Sequence, residues 1–147
     1  MRKGFGMEDR NTGDLREELM AAPNIDAYLK KHGTSFFDKD LTKRLCEARS
    51  RKGISKLELA RRAFMSEIYV RQVLSGKRRP SRDRLLCLCA ALELTADETQ
   101  EMLKSGSYAP LHPRSRRDAI IEYGIAHQTS LREINDQLYD RDEKALF

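Results

Sequence analysis

Signals that begin and end helices recur along this chain, and they constrain its fold more than any other feature. Ser55 and Glu58 have the spacing of a capping box, in which each side chain satisfies a free backbone N–H at the start of a helix. Ser66 is a second candidate N-cap, and Gly76 is positioned to end the helix that Ser66 begins. No stretch alternates between polar and apolar residues as a half-buried strand does. The sequence therefore predicts an all-α protein.

Further helices are predicted on both sides of this central pair. Capping residues, apolar residues at helical spacing, and the breakers glycine and proline place them at 14–22, 24–32, 38–52, 81–93, 95–106, 113–127 and from 130 onwards. Asp14 is expected to cap the first helix, and Gly33 to end the second. Pro113 is placed at the first position of its helix, where its missing N–H costs nothing.

Positive charge is concentrated in one stretch of the chain. Residues 43–84 carry 14 basic and 4 acidic side chains, a net charge of +10. Residues 1–42 carry 7 basic and 8 acidic side chains (−1), and residues 85–147 carry 7 and 11 (−4). A solvated protein surface normally mixes charges of both signs. The concentration of one sign favours a polyanionic partner such as a nucleic acid.

The rest of the composition argues against a membrane protein and against a disulfide framework. The longest apolar stretch, Leu85 to Leu92, is far shorter than the roughly 20 residues of a membrane span. The N-terminus lacks the apolar run of a signal peptide. The three cysteines are an odd number, which suits reduced thiols. We therefore expect a soluble protein of the cytoplasm.

Candidate catalytic and metal-binding residues are few. His32, His112 and His127 are far apart, and none shares a short motif with a cysteine or a carboxylate pair. Cys87 and Cys89 would point about 200° apart on a helix, so they cannot jointly hold zinc. No glycine-rich phosphate loop is present. We expect no enzyme activity, no cofactor and no metal.

Residues 53–81 resemble the helix-turn-helix of phage-repressor-type regulators, the lambda repressor and Cro class that is also called the XRE family. The residues that carry the resemblance are Arg49, Gly53, Ser55, Glu58, Leu59, Ala60, Ser66, Val70, Gly76, Pro80 and Leu85. The resemblance covers roughly residues 38–104, and it implies a five-helix DNA-binding domain with the helix-turn-helix at 55–75. It leaves an N-terminal helical extension (1–37) and a linker with a C-terminal helical pair (105–147).

The second helix of the motif, residues 66–75, is the expected recognition helix in the major groove. With its valines turned into the core, the side chains left facing outwards are those of Glu67, Ile68, Arg71 and Gln72. Gln72 suits adenine and Arg71 suits guanine. Ile68 could touch a thymine methyl group, and Glu67 could accept from a cytosine amino group. The resemblance implies base contacts at Glu67, Ile68 and Gln72. An ordinary solvated helix face is the alternative.

The candidate phosphate contacts lie at the starts of both motif helices and directly after the second helix. They are Ser55, Lys56, Ser66, Tyr69, Lys77, Arg78 and Arg79. Free N–H groups and the helix dipole attract an anion at a helix start. Related domains hold the DNA backbone directly after the recognition helix, and Arg82 and Arg84 are expected to extend this strip. A basic loop that serves only solubility is the alternative.

Three positions depart from the resemblance. Phe64 stands in the turn where glycine is frequent, which requires a different turn or tolerated strain. Leu74 replaces an acidic residue that in many relatives pairs with the residue matching Arg49, so Arg49 needs another partner. Tyr69 stands where some relatives carry a small polar residue.

The last two predicted helices carry an apolar stripe of Ile120, Ile121, Ile125, Leu131, Ile134 and Leu138. This stripe either packs on the protein's own core or forms a dimer or partner surface. Because a single helix-turn-helix reads only a few base pairs, a homodimer on a two-fold symmetric site is expected.

Two functions are compatible with these features. The first is a sequence-specific transcriptional regulator that binds double-stranded DNA and represses by occupying a promoter. The alternative is an antitoxin-like or adaptor protein that mainly binds a partner protein, above all through residues 105–147, with DNA binding secondary.

Overall fold

The structure, a computed structural model, describes residues 12–32 and 37–147, and within these ranges the chain forms nine helices and no strand. The helices are α1 (Thr12–Ala21), α2 (Ile25–Lys31), α3 (Phe37–Lys52), α4 (Lys56–Ala63), α5 (Glu67–Leu74), α6 (Arg82–Ala91), α7 (Ala96–Ser105), α8 (Arg116–Ala126) and α9 (Leu131–Asp140). This confirms the predicted all-α fold. Among the described helices, none combines the length and apolarity that crossing a membrane requires.

Four of the helix connections use the same three-residue turn. Its first residue has a positive φ, and these residues are Gly53 (68°), Phe64 (57°), Glu93 (55°) and Gln128 (54°). The N–H of the second residue bonds to the carbonyl five residues earlier, as in the 3.0 Å bond from Met65 N to Ala60 O. The third residue is serine or threonine, and its hydroxyl caps the next helix. The turn therefore ends one helix and starts the next within three residues.

The predicted N-caps are confirmed at Ser55 and Ser66, and Thr95 and Ser130 cap the helices that were predicted to begin at 95 and 130; each hydroxyl accepts from the backbone N–H three residues on. The capping box is complete at Thr95, since the Glu98 carboxylate also accepts from the Thr95 N–H at 2.8 Å. At the start of α4 only half of the predicted capping box forms. The Ser55 hydroxyl accepts from the Glu58 N–H, but the Glu58 carboxylate accepts from Arg61 and Arg62 instead of from the Ser55 N–H.

Two predicted helix starts are wrong. Asp14 lies in the first turn of α1 rather than capping it. Pro113 lies before α8, which starts instead from Ser115, whose hydroxyl accepts from the Asp118 N–H at 3.2 Å. A serine cap satisfies an otherwise free N–H, whereas proline at the first position only avoids a loss. The predicted end of α2 at Gly33 lies outside the described residues.

Helices α3 to α9 share one buried core. α3 turns Leu41, Leu45 and Ala48 inwards, and α6 is buried along most of its length. The same cluster of buried residues continues into α8 and α9. Five of the six residues of the apolar stripe are buried in it, and Ile120 is half-buried. The stripe therefore packs largely on the protein's own core.

Two arginines tie the C-terminal helices to the rest of the fold. Arg82 of α6 donates to both carboxylate oxygens of Asp118 at 3.0 and 3.1 Å, and to two carbonyls of the segment before α8. Arg117 of α8 donates to Asp83 of α6 at 3.0 Å. The expectation that Arg82 extends the phosphate strip is wrong, because its guanidinium is committed to α8.

α1 and α2 pack on each other at the N-terminal end of the described chain. Asn24 caps α2, and its side-chain oxygen accepts from the Ala27 N–H at 2.8 Å. Tyr28 and His32 of this helical pair are buried, and His32 Nε2 lies 2.8 Å from Glu18 Oε1. A polar bond between buried and half-buried groups thus joins α2 to α1.

Candidate nucleic-acid interface

α4 and α5 cross closely because small and branched apolar residues meet between them. Leu59, Ala60 and Ala63 of α4 are buried, as are Val70 and Val73 of α5. The inward position of both valines fixes which side chains of α5 face outwards. This is the orientation that the spacing of the valines predicts.

Phe64 adopts the left-handed conformation in the turn between these helices, with φ 57° and ψ 45°. Of the two possibilities for this position, the structure shows tolerated strain, which costs about 1 kcal/mol for a residue other than glycine. The Phe64 ring stacks on Phe147 with centroids 4.3 Å apart, and the Arg132 guanidinium lies over it. The turn is therefore supported by residues from the C-terminal part of the chain, and no sequence signal predicted this contact.

The structure brings the four candidate base contacts together on the outward face of α5, and they are Glu67, Ile68, Arg71 and Gln72. The side chain of Ile68 is 70% exposed. Arg71 is also exposed, whereas Glu67 and Gln72 are half-buried. One helix surface therefore presents an apolar group, a guanidinium, a carboxylate and an amide side by side.

Three of these four side chains are bonded to neighbours on the same surface. Arg71 donates through Nε and Nη2 to Glu67 Oε2 at 3.0 and 2.7 Å. Gln72 Oε1 accepts from Arg78 Nε at 3.0 Å. Exposed pairs of this kind contribute about 1 kcal/mol or less, so a ligand can replace them at little cost. A guanidinium carries five N–H donors, so Arg71 keeps others for a ligand.

The basic residues after α5 differ in how they are held. Lys77 is exposed and forms no ion pair within the part of the chain that the structure describes. Arg79 donates to the Gly106 carbonyl, and its guanidinium lies 4.2 Å from the centre of the Tyr108 ring. Of the candidate phosphate contacts in this segment, Lys77 is thus open, while Arg79 is directed towards the loop after α7.

Tyr69 lies half-buried beneath two arginines. The guanidinium carbon of Arg84 is 4.5 Å from the centre of its ring, and that of Arg78 is 5.4 Å away. Cation–π attraction of this kind holds a cation in place without neutralising it. The ring therefore keeps the positive charges of Arg78 and Arg84 beside α5.

The starts of α4 and α5 are both open to solvent. Ser55 and Ser66 are exposed, and their hydroxyls cap the two helices. Lys56 stands half-buried in the first turn of α4. A helix start combines free N–H groups with the positive end of the helix dipole, so both positions favour an anion.

Glu58 sets the charge of the outer face of α4. Hydrogen bonds from Arg61 and Arg62 lower the pKa of Glu58 from 4.5 to about 2. The carboxylate stays ionised at neutral pH and offsets part of the charge of both arginines. These two arginines are therefore less available to a polyanion than their place in the basic stretch suggests.

Arg49 finds another partner, as the departure at Leu74 requires. Leu74 is buried, and its carbonyl accepts from the Cys46 thiol at 3.3 Å. Arg49 Nη1 donates to the Ile54 carbonyl at 2.9 Å. Arg49 thus ties the end of α3 to the turn before α4.

The residues considered for catalysis or metal binding are not brought together. His32 follows α2, His112 precedes α8 and His127 follows α8, and the described residues include no group of three or more His, Cys, Asp or Glu able to hold a metal. Burial raises the pKa of the Cys87 and Cys89 thiols to about 12. Both thiols are protonated at neutral pH, so they are poor nucleophiles.

Residues 40–102 match a family model described as a helix-turn-helix domain. The match begins within α3 and ends within α7, so it includes α4, α5 and the turn between them. Neither curated proteins nor solved structures show a significant match to the chain. Residues 40–102 are therefore similar to a helix-turn-helix domain, and this similarity supports a DNA-binding role.

Proposed function

We propose that this protein is a sequence-specific transcriptional regulator of the phage-repressor type, which acts in the cytoplasm and represses by occupying promoter DNA. The observation that carries the proposal is the outward face of α5 in a helix-turn-helix domain, where Ile68, Arg71 and Gln72 stand beside a basic segment. In this proposal residues 38–104 form the DNA-binding unit, and helix 66–75 enters the major groove.

Base reading is assigned to the outward side chains of α5. Glu67 holds one edge of the Arg71 guanidinium, which leaves the outer N–H groups for a guanine. Both bonds use Glu67 Oε2, so Oε1 is left for the amino group of a cytosine. Gln72 exchanges its bond with Arg78 for a bidentate pair with adenine, and Ile68 packs on a thymine methyl group.

Phosphate binding is assigned to the starts of both helices and to the residues after α5, which are Ser55, Lys56, Ser66, Tyr69, Lys77, Arg78 and Arg79. Two observations support this assignment. Lys56 and Lys77 form no competing ion pair with the residues that the structure describes. Arg78 Nε donates to Gln72 Oε1 at 3.0 Å in an exposed bond, and a turn of Gln72 towards a base would break this bond and free Arg78 for the DNA backbone.

Selection of duplexes from a random pool, followed by a salt series on the selected duplex, tests the proposal. We expect enrichment of a short motif. If the four cations of this assignment, Lys56, Lys77, Arg78 and Arg79, each neutralise one phosphate, log affinity falls with log salt at a slope of about −4. A pool without enrichment, or an affinity that does not change with salt, would overturn the proposal.

Substitutions separate base contacts from phosphate contacts. Arg71→Ala and Gln72→Ala should each reduce the preference for the selected duplex over a scrambled one by about 1–3 kcal/mol. Lys77→Ala should weaken binding to both duplexes alike and make the salt slope shallower by about 1. Lys30→Ala, which removes an exposed lysine of α2 outside the matched domain, is the control and should change neither property.

A further inference from the structure

An apolar groove of about 410 Å³ opens to solvent between α8 and α9. Ile134 forms its floor, while half-buried Ile120 and Tyr123, which is 65% exposed, form its wall on α8. A Cβ added at Gly124 would overlap Ile134 Cγ1, so glycine at this position allows α9 to approach α8. Solvent-exposed apolar surface of this kind, next to a polar rim, is typical of an interaction site.

The polar rim of the groove is a row of three side chains, two on α9 and the third on the residue that directly follows it. Glu133, Gln137 and Arg141 are exposed, and all three border the groove. They follow one another at intervals of four residues, so they lie on one face of the helix, and the row is about 12 Å long. The row begins with the negative charge of Glu133, continues with the neutral amide of Gln137 and ends with the positive charge of Arg141.

We propose that this groove binds the same groove of a second copy of the chain, with the two α9 helices antiparallel and Gln137 at the two-fold axis. In that arrangement Glu133 of each copy faces Arg141 of the other, and the two amides of Gln137 face each other. A two-fold interface brings the same patch of both copies together, so the patch must be complementary to itself. The sequence of charges along this row meets that condition in the antiparallel orientation, whereas a parallel orientation would place like charges together.

The apolar surface of the groove completes the interface. Tyr123 and Ile120 of each copy would cover the floor of the other copy's groove, in a contact of four helices. A central apolar area with a polar rim is the usual arrangement of protein interfaces. None of the groove residues is among the proposed DNA contacts, so this assembly leaves both recognition helices free.

This inference rests on the proposed function for its purpose, since a dimer would read two half-sites, but the association itself can be measured without DNA. Sedimentation velocity over a concentration series gives the dimer affinity of the full chain and its variants. Glu133→Arg and Arg141→Glu each turn two attractive pairs into two repulsive ones, and each should weaken dimerisation about tenfold or more. Asp136→Arg, on the same helix but outside the groove, makes the same charge change as Glu133→Arg and should leave dimerisation unchanged.

Mixing the two single variants is the decisive step. An equimolar mixture of the Glu133→Arg and Arg141→Glu chains restores both attractive pairs, so it should form a heterodimer with near wild-type affinity. This result also shows that both variants are folded. The proposal is overturned if the wild-type chain stays monomeric. That result includes the case in which the groove binds a helix of another protein instead of a second copy. Wild-type affinity in either single variant, or no association in the mixture, overturns it as well.

Binding to duplexes with one or two half-sites distinguishes failure of this interface from failure of the proposed function. The Glu133→Arg variant should keep the wild-type affinity and salt slope for one half-site, and lose the additional affinity for two. Normal dimerisation behaviour in the absence of DNA binding would contradict the proposed function alone. Normal DNA binding together with unchanged dimerisation in the single variants would contradict the interface alone.

Discussion

The α4–α5 pair and the α8–α9 pair are built alike and differ in what they expose. Residues 64–66 and 128–130 form the same turn, with a left-handed residue, an intervening residue and a capping serine. Residues 55–79 carry seven basic and two acidic side chains, whereas residues 116–140 carry three basic and five acidic ones. The backbone geometry is common to both pairs, so the charge of the side chains decides which pair suits a polyanion.

The arginine that holds the α8–α9 pair and the arginine on the outer face of α5 also differ in their exposure. Arg82 and Asp118, which hold α8, have side chains that are only 24% and 11% exposed. Arg71 and Glu67 on α5 are 57% and 35% exposed. A buried pair fixes the fold, while an exposed pair can exchange its partner for a ligand. Burial rather than residue type therefore separates a structural arginine from a candidate DNA contact.

The largest expected effect comes from breaking the buried pair. Asp118→Ala leaves the Arg82 guanidinium mostly buried without its counter-charge, so it should lower the free energy of unfolding by about 3 kcal/mol. Glu67→Ala, the matched change at the exposed pair, should cost less than about 1 kcal/mol. Urea denaturation of both variants measures the difference. Equal losses would mean that burial does not distinguish the two pairs.

Removing the capping serines of the two turns should have the second largest effect on stability. Ser66→Ala and Ser130→Ala should each lower the free energy of unfolding by about 1 kcal/mol, because each leaves an N–H at a helix start without its acceptor. Of the two, Ser66→Ala alone should also weaken DNA binding, since the start of α5 is a proposed phosphate contact. An equal loss of DNA affinity in Ser130→Ala would contradict this assignment.

The left-handed residues of the two turns should respond differently to glycine. Gln128→Gly should raise the free energy of unfolding by up to about 1 kcal/mol, because glycine adopts a positive φ without strain. Phe64→Gly gains the same relief but loses the stack on Phe147, which is worth about 0.5–1.5 kcal/mol, so no net gain is expected. A double-mutant cycle with Phe147→Ala measures the coupling, and additive effects would show that the stack does not support the turn.

The smallest effect concerns the acid that offsets the charge of α4. The pKa of Glu58, about 2 in the folded chain, lies below its ordinary value of 4.5. Its bonds to Arg61 and Arg62 therefore persist above pH 4.5 and are lost as the pH falls towards 2. Carboxyl-carbon NMR should show this titration, and replacing both arginines by alanine should move the midpoint up towards 4.5. A wild-type midpoint near 4.5 would contradict the geometry of this face.

Much of the fold could be predicted because helix starts are local. A cap acts on an N–H three residues away, so Ser55, Ser66 and Thr95 could be assigned from the sequence alone. The error at Arg82 arose because a distant contact decides the outcome. Arg82 was assigned to the phosphate strip because nothing near it in sequence indicates that Asp118, on another helix, is its partner. The error at Pro113 was local, since Ser115, two residues further on, caps the helix instead.

The candidate site, like the fold, could be predicted from the sequence where it depends on local spacing along one helix. The inward valines of α5 fix its outward face, so the placement of that face followed from helical spacing. The bond between Glu67 and Arg71 was also within reach, because residues four apart on a helix are neighbours. The contacts of Arg84 with Tyr69 and of Phe147 with Phe64 were not predictable, since they depend on how separate elements pack.

Mapping backbone amide shifts by NMR during titration with a selected duplex tests the central claim most directly. We expect the largest shift changes at the starts of α4 and α5 and along residues 66–79. Residues 116–141 should change little when a single half-site is used, because they belong to the other helix pair. Large changes confined to α8 and α9, with residues 66–79 unaffected, would contradict the assignment of α5 as the helix that reads DNA.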